Sequence, residues 1–167
     1  MFIKKLFLIR HSKSSWKHPG MSDHDRPLNK RGKYDAPFMA EKLYQLEIFP
    51  DLILSSTAVR TIEFANILAD KLNYEKENII SLRELYLASD SEIIKTVRET
   101  DDKYKTVFLV AHNPGITYAV NNLSGSEIDN MPTSGIAGIE FKTDTWKEIK
   151  SGSGNLFLFE FPKKYYP

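Results

Sequence analysis

Short, uniformly apolar runs alternating with amphipathic helical stretches predict an α/β fold, a three-layer sandwich with a mostly parallel central sheet flanked by helices. Two further observations shape that expectation. The last two apolar runs have no helix between them, which predicts an antiparallel edge from the C-terminal strands. The chain has 167 residues, 41% of them apolar and 27% charged, a balance that supports one globular domain over 1–167 with a sizeable core.

The elements follow in order. Leu6 to Ile9 is a continuous apolar run, as expected of a strand buried on both faces. Residues 12–29 are rich in Ser, His, Asp, Gly and Pro and read as a long loop. Ala36, Met39, Ala40 and Leu43 recur at helical spacing, with Pro37 expected in that helix's first turn, where a missing N–H costs little. Leu52 to Leu54 is a second buried strand. Ala58 to Leu72 is a helix with Ile62, Ala65, Leu68, Ala69 and Leu72 on one face. Ile79 and Ile80 mark a short strand. Ser89 and Glu92 have capping-box spacing and open a helix that buries Ile93, Ile94 and Val97. Thr106 to Ala111 is the third clear strand. Asn113 and Pro114 are expected as N-cap and first-turn proline of a helix that ends at Gly125. Ile136 to Phe141 and Leu156 to Phe161 are the final strands.

Composition excludes several function classes. Lys plus Arg number 23 and Asp plus Glu 22, a net charge of +1, so neither a nucleic-acid nor a membrane partner is expected and any anion must be held by local placement of bases. The absence of cysteine removes disulfides, zinc-thiolate sites and thiol nucleophiles. The N-terminal apolar run is too short for a signal segment or a membrane span, so a cytoplasmic location is expected.

Two strands end alike, one in Ile9-Arg10-His11 and the other in Val110-Ala111-His112. Ligands of open α/β sheets bind outside the carboxyl ends of the strands, so two histidines delivered there can face one pocket; separately they would be ordinary loop histidines. The strand at Leu52 to Leu54 runs through Ser55-Ser56-Thr57 into a helix with Arg60 in its first turn, against the macrodipole's preference for acids. Arg60 is therefore read either as a solvated side chain or as part of an anion site, with Arg10 as a second clamp. Two arginines and two histidines suit phosphoryl transfer: the forked guanidinium matches the equatorial oxygens, and a neutral imidazole can attack phosphorus. Nearby arginines would lower the histidine pKa and keep it neutral.

Arg10-His11-Ser12, followed by Ser14 and Trp16, resembles the signature of the histidine phosphatase superfamily, the phosphoglycerate-mutase-like enzymes. Ser55-Ser56-Thr57-Ala58-x-Arg60-Thr61 is similar to its second motif and Val110-Ala111-His112-Asn113-Pro114-Gly115 to its third. Arg26-Pro27-Leu28 with Gly32 matches the segment before its first helix. The resemblance implies a phosphorylated His11, phosphate binding by Arg10 and Arg60, and a His112 that contacts the phosphate and stabilises the transition state, with no metal and no cofactor. It also implies a substrate contact at Ser14. Ser12 stands where the larger family usually has glycine. Lys17 stands where the mutases have an asparagine, and is either another phosphate contact or a solvated lysine. Leu82-Arg83-Glu84-Leu85 resembles the position of the family's general acid, so Glu84 is either that acid or a surface glutamate. His18 and His24 match no catalytic position and are expected to be solvated.

The short elements between Arg60 and His112 make the chain similar to the small SixA-type phosphohistidine phosphatases, as do Leu85-Tyr86-Leu87-Ala88-Ser89 and Arg26-Pro27-Leu28. That resemblance implies a phosphorylated protein, dephosphorylated at phosphohistidine, as the partner. Alternatives are a phosphatase for small phosphate monoesters on the same scaffold, or a silent phosphate- or phosphohistidine-binding module.

Overall fold

The computed structural model describes residues 2–166. Strands β1 (Ile3–Arg10), β2 (Leu52–Ser56), β3 (Ile80–Leu82), β4 (Thr106–Ala111), β5 (Ile136–Lys142) and β6 (Asn155–Glu160) form one six-stranded sheet in the order β3-β2-β4-β1-β5-β6. The pairs β3–β2, β2–β4 and β4–β1 are parallel, whereas β5 runs antiparallel to both β1 and β6. Helices α1 (Lys30–Gln45) and α2 (Val59–Lys71) pack on one face, and α3 (Asp90–Arg98) and α4 (Gly115–Ser124) on the other. This is the three-layer α/β sandwich expected, with its antiparallel C-terminal strands.

The alternation of side chains along a strand divides the core. Phe7 and Ile9 of β1, with Phe108 and Val110 of β4, meet Met39, Leu43, Phe64 and Leu68 on the α1/α2 side. Leu6, Leu8, Val107 and Leu109 meet Ile93, Val97, Ile116 and Val120 on the α3/α4 side. Burial on both faces makes residues 6–9 of β1 and 107–111 of β4 unbroken apolar runs. β6 alternates between exposed and partly buried positions over residues 155–158, as a strand at the sheet's margin does, and ends in the buried Glu160.

Two boundaries differ from expectation. α1 begins at Lys30, capped by the Asn29 side chain, which accepts the Gly32 N–H at 2.8 Å, so Pro37 lies in the helix interior and not in its first turn. Tertiary burial of Ala36, Met39 and Ala40 holds the helix through the proline. Gly32 is required in the first turn: a Cβ there would stand 2.2 Å from the Lys13 carbonyl oxygen, so α1 seats directly against the loop that follows β1. At α4 the cap residue is Pro114, after a cis Asn113–Pro114 bond, and not Asn113; the Asn113 side chain instead accepts the Thr117 hydroxyl at 2.7 Å. The Ser89/Glu92 capping box of α3 and the left-handed Gly125 after α4 are both present. Among the described residues no helix is long and apolar enough to cross a membrane.

Candidate active site

Three neighbouring parallel strands deliver the site. β1 ends in Arg10 and passes into His11; its central neighbour β4 ends in Ala111 and passes into His112; β2 ends in Ser56, two residues before the cap of α2, which carries Arg60 at its second position. Register places Arg10 opposite Ala111, and the His11 N–H donates to the Ala111 carbonyl at 3.2 Å. The two imidazoles therefore lie side by side, with ring centroids 5.3 Å apart.

Arg60 joins them. Its Nε lies 3.4 Å from His11 Nε2 and its Nη2 3.3 Å from His112 Nδ1, and all three residues are buried. These contacts determine the tautomers, because a guanidinium only donates and a carbonyl only accepts. His11 Nδ1 lies 2.7 Å from the Ser12 carbonyl, so Nδ1 carries the proton and Nε2 presents its lone pair toward Arg60. His112 Nε2 donates to Ser56 Oγ at 2.8 Å and leaves the Nδ1 lone pair facing the same arginine. Burial first, then Arg60, Arg10 and Arg26, lower the His11 pKa to about 4 against the opposing pull of the Ser12 carbonyl. Burial, with His11 and Arg60, brings His112 down to about 3. The arginines thus act in the expected direction, but exclusion from water is the larger cause. Arg10 donates from Nη1 to the Met131 carbonyl at 2.8 Å, while its buried Nε has no hydrogen-bond partner. An unpaired buried guanidinium donor is costly, and an anion beside Arg10 would satisfy it.

The polar loop supplies a layer that sequence reasoning did not anticipate. Asp23 accepts Arg26 Nε and Nη2 at 3.1 and 2.9 Å on one oxygen, and Arg60 Nη2 and the Tyr86 hydroxyl at 3.0 and 2.5 Å on the other. Its backbone carbonyl accepts Arg60 Nη1 at 2.7 Å. Burial would raise the Asp23 carboxyl; hydrogen bonds from Tyr86, Arg26 and Arg60 outweigh it and hold the group well below the usual carboxylate range. Arg60 is thereby aimed at the histidines from behind. Buried Ser134 also supports the loop after β1: in a left-handed conformation (φ 62°), its N–H donates to the His11 carbonyl at 3.0 Å and its hydroxyl to Ser12 Oγ at 2.6 Å. The local strain this costs is of the kind that collects at functional sites.

Arg10, His11, Arg60 and His112 all line one open cleft of about 500 Å³. Ser14 lines it too, but its hydroxyl is engaged by Arg26 Nη1 at 2.6 Å. The lysine at the cleft is Lys13; Lys17 is exposed on the same loop and is not in the lining. Glu84 sits exposed on a 3-10 turn (Arg83–Leu85) and does not line the cleft, whereas Leu87, three residues on, does. His18 is exposed as expected, but His24 is not merely solvated: its Nε2 lies 2.8 Å from Thr57 Oγ1 and its ring packs edge-on to Tyr86 at 4.9 Å. A signal for the missed layer was present in the i, i+3 spacing of Asp23 and Arg26, but nothing local showed that the pair folds over Arg60.

A sequence profile of the histidine phosphatase superfamily (branch 1) matches residues 6–108. An uncharacterized chloroplastic protein of Arabidopsis thaliana is 32% identical over 159 residues, covering 90% of this chain and 72% of its own length. An uncharacterized Mycobacterium tuberculosis protein is 28% identical over 168 residues, covering 93% of this chain and 100% of its own. Among solved structures, a candidate phosphohistidine phosphatase SixA from Agrobacterium tumefaciens superposes with a TM-score of 0.83 at 27% identity, over 97% of this chain and 100% of that one. With a profile match over residues 6–108, more than half of the chain, and a similar fold end to end, the chain belongs to the histidine phosphatase superfamily.

Proposed function

We propose that this phosphatase-family chain, acting as one domain, hydrolyses phosphohistidine in proteins through a covalent phosphoryl group on His11. The phosphoryl group sits between Arg10, Arg60, His11 and His112. The Nε2 lone pair of His11 attacks phosphorus, and the bonding pair of the scissile P–N bond returns to the leaving ring nitrogen. The product on His11 keeps its Nδ1 proton, donated to the Ser12 carbonyl, so His11 is itself ready to leave as a neutral imidazole. Water then attacks phosphorus, and the His112 Nδ1 lone pair is placed to take the proton that water loses. Arg10 and Arg60 offset charge on the equatorial oxygens in both steps.

One observation carries the choice of leaving group. Among the described residues, the only carboxylate lining the cleft is Asp23, and its four hydrogen bonds keep it ionised. The site therefore offers no protonated acid to an alkoxide. A phosphohistidine protonated on its other ring nitrogen departs as neutral imidazole and needs none. The candidate SixA neighbour is consistent with this substrate class.

The test compares one peptide carrying either phosphohistidine or phosphoserine at the same position. The phosphohistidine form should have the larger kcat/KM by about 100-fold or more, the worth of one general acid. Equal or faster hydrolysis of phosphoserine would refute the assignment.

A further inference from the structure

A second cavity, of about 360 Å³, adjoins the catalytic cleft, and Arg10, Lys13 and Thr133 line both. Its outer wall carries Arg31 from α1 and Lys163 from the 3-10 turn after β6 (Pro162–Lys164). That turn is held in place: Tyr166 packs edge-on to Phe38 at 4.8 Å, and its hydroxyl donates to Asp35 on α1.

The charge here is lopsided. The cleft carries Arg10, Lys13, Arg26 and Arg60 against Asp23, and the cavity adds Arg31 and Lys163 against Asp35. Six bases face two acids, an excess of four in a chain whose overall net charge is +1. Both acids are already engaged, Asp23 as described and Asp35 by Arg31 Nε, at 3.0 and 3.1 Å to its two oxygens, and by Tyr166. Arg31 uses only that nitrogen, and the Lys13 and Lys163 amines make no hydrogen bond or ion pair among the described residues. Three cations with unused donors, Arg31 among them lying over the Tyr166 ring at 5.0 Å, thus line a cavity that shares three lining residues with the phosphoryl site. A chain with almost no net charge concentrates them there against their mutual repulsion, which an anion would relieve.

We propose that this cavity is a subsite for a second anionic group, a carboxylate or a phosphate, on the substrate whose phosphoryl group occupies the cleft. The inference rests on reading the cleft as a phosphoryl site. In a protein substrate, the group would be an acidic side chain beside the phosphohistidine.

Competitive inhibition of aryl phosphate turnover at low ionic strength tests it. The probes are α,ω-alkane bisphosphonates and ω-phosphonocarboxylates with one to four methylenes, each set against the alkylphosphonate of equal length. At least one two-anion probe should inhibit about tenfold better than its one-anion counterpart, since the second group binds as a tethered ligand. A bisphosphonate optimum assigns the subsite a phosphate and a phosphonocarboxylate optimum a carboxylate, and either supports the proposal. The advantage should fall to about threefold in Lys163→Ala and below about twofold in the Lys163→Ala/Arg31→Gln double variant, as each cation contributes separately. Lys150→Ala, which changes charge equally outside both cavities, should keep it, and methylphosphonate inhibition should stay within about twofold throughout. A flat series with methylphosphonate still competitive, or an advantage that survives the double variant, overturns the subsite and leaves the phosphatase reading standing.

Discussion

Lowering the pH from 8 to 5 should cost the fold about 4 kcal/mol through two histidines alone, by the linkage between folding and protonation. The folded-state pKa values of His11 and His112 lie near 4 and 3, below the ordinary value of 6.5 that the unfolded chain displays. Above pH 6.5 both states hold these rings neutral and no penalty exists. As pH falls through 6.5 the unfolded chain takes up protons that the native site refuses, so stability drops. The loss continues until the folded values are reached and then levels off. At pH 5 each ring lies 1.5 units below the unfolded value at 1.36 kcal/mol per unit, or about 2 kcal/mol each. Against a typical total of about 5–15 kcal/mol this is a large fraction. The lowered carboxyl of Asp23 acts in the other window: its stabilising contribution is complete above 3.8 and is lost only at more acid pH. Urea unfolding at pH 8 and pH 5 measures the effect. Wild type should lose about 4 kcal/mol, while His11→Asn or His112→Asn alone should lose about half, and the double variant little. An unchanged pH loss in the double variant would refute the argument that burial beside Arg60 keeps both rings neutral, and with it the basis for His11 as a ready nucleophile.

Other outcomes follow from the same geometry. Turnover with a labelled phosphate donor should label the protein on His11 with an acid-labile, alkali-stable bond, and His11→Ala should abolish labelling and turnover; a near-normal rate in that variant would leave direct water attack as the mechanism. Arg60→Ala should lower kcat by about 10²–10³, the usual effect of removing one charge partner of the transition state. Lys17→Ala and Glu84→Gln, both outside the cleft, should stay within about twofold of wild type, as surface substitutions do; a large loss in Glu84→Gln kinetics would return that residue to the reaction. Gly32→Ala should destabilise the protein by about 1–3 kcal/mol, because its Cβ would meet the Lys13 carbonyl at 2.2 Å; a neutral unfolding midpoint would show that the loop yields.

The parallel strands and the helices between them were legible because each is a local periodic signal. Strands buried on both faces leave unbroken apolar runs such as Leu6 to Ile9, and helices leave a spaced apolar face such as Ala65, Leu68, Ala69 and Leu72. The same signal brought His11 and His112 together, since a histidine that follows such a strand lands at the carboxyl edge of the sheet. Helix starts were less legible where a proline lies inside α1 or precedes α4, because the proline's preference for a first turn yields to burial and to cap geometry.

What the sequence by itself determined was therefore the layered sheet and the delivery of Arg10, His11, Arg60 and His112 to one edge of it. Only the tertiary structure decided how those groups are held and what surrounds them. Asp23 reaches Arg60 across 37 positions and Tyr86 across 63, within an aperiodic polar loop whose path is set by where α1 and α2 seat it. It likewise decided that Lys13 and not Lys17 lines the cleft, that Glu84 stands outside it, and that Lys163 comes beside Arg31. The physical reason is range: hydrophobic periodicity acts between residues a few positions apart, whereas hydrogen bonds between distant polar side chains exist only once the core has brought their backbones together.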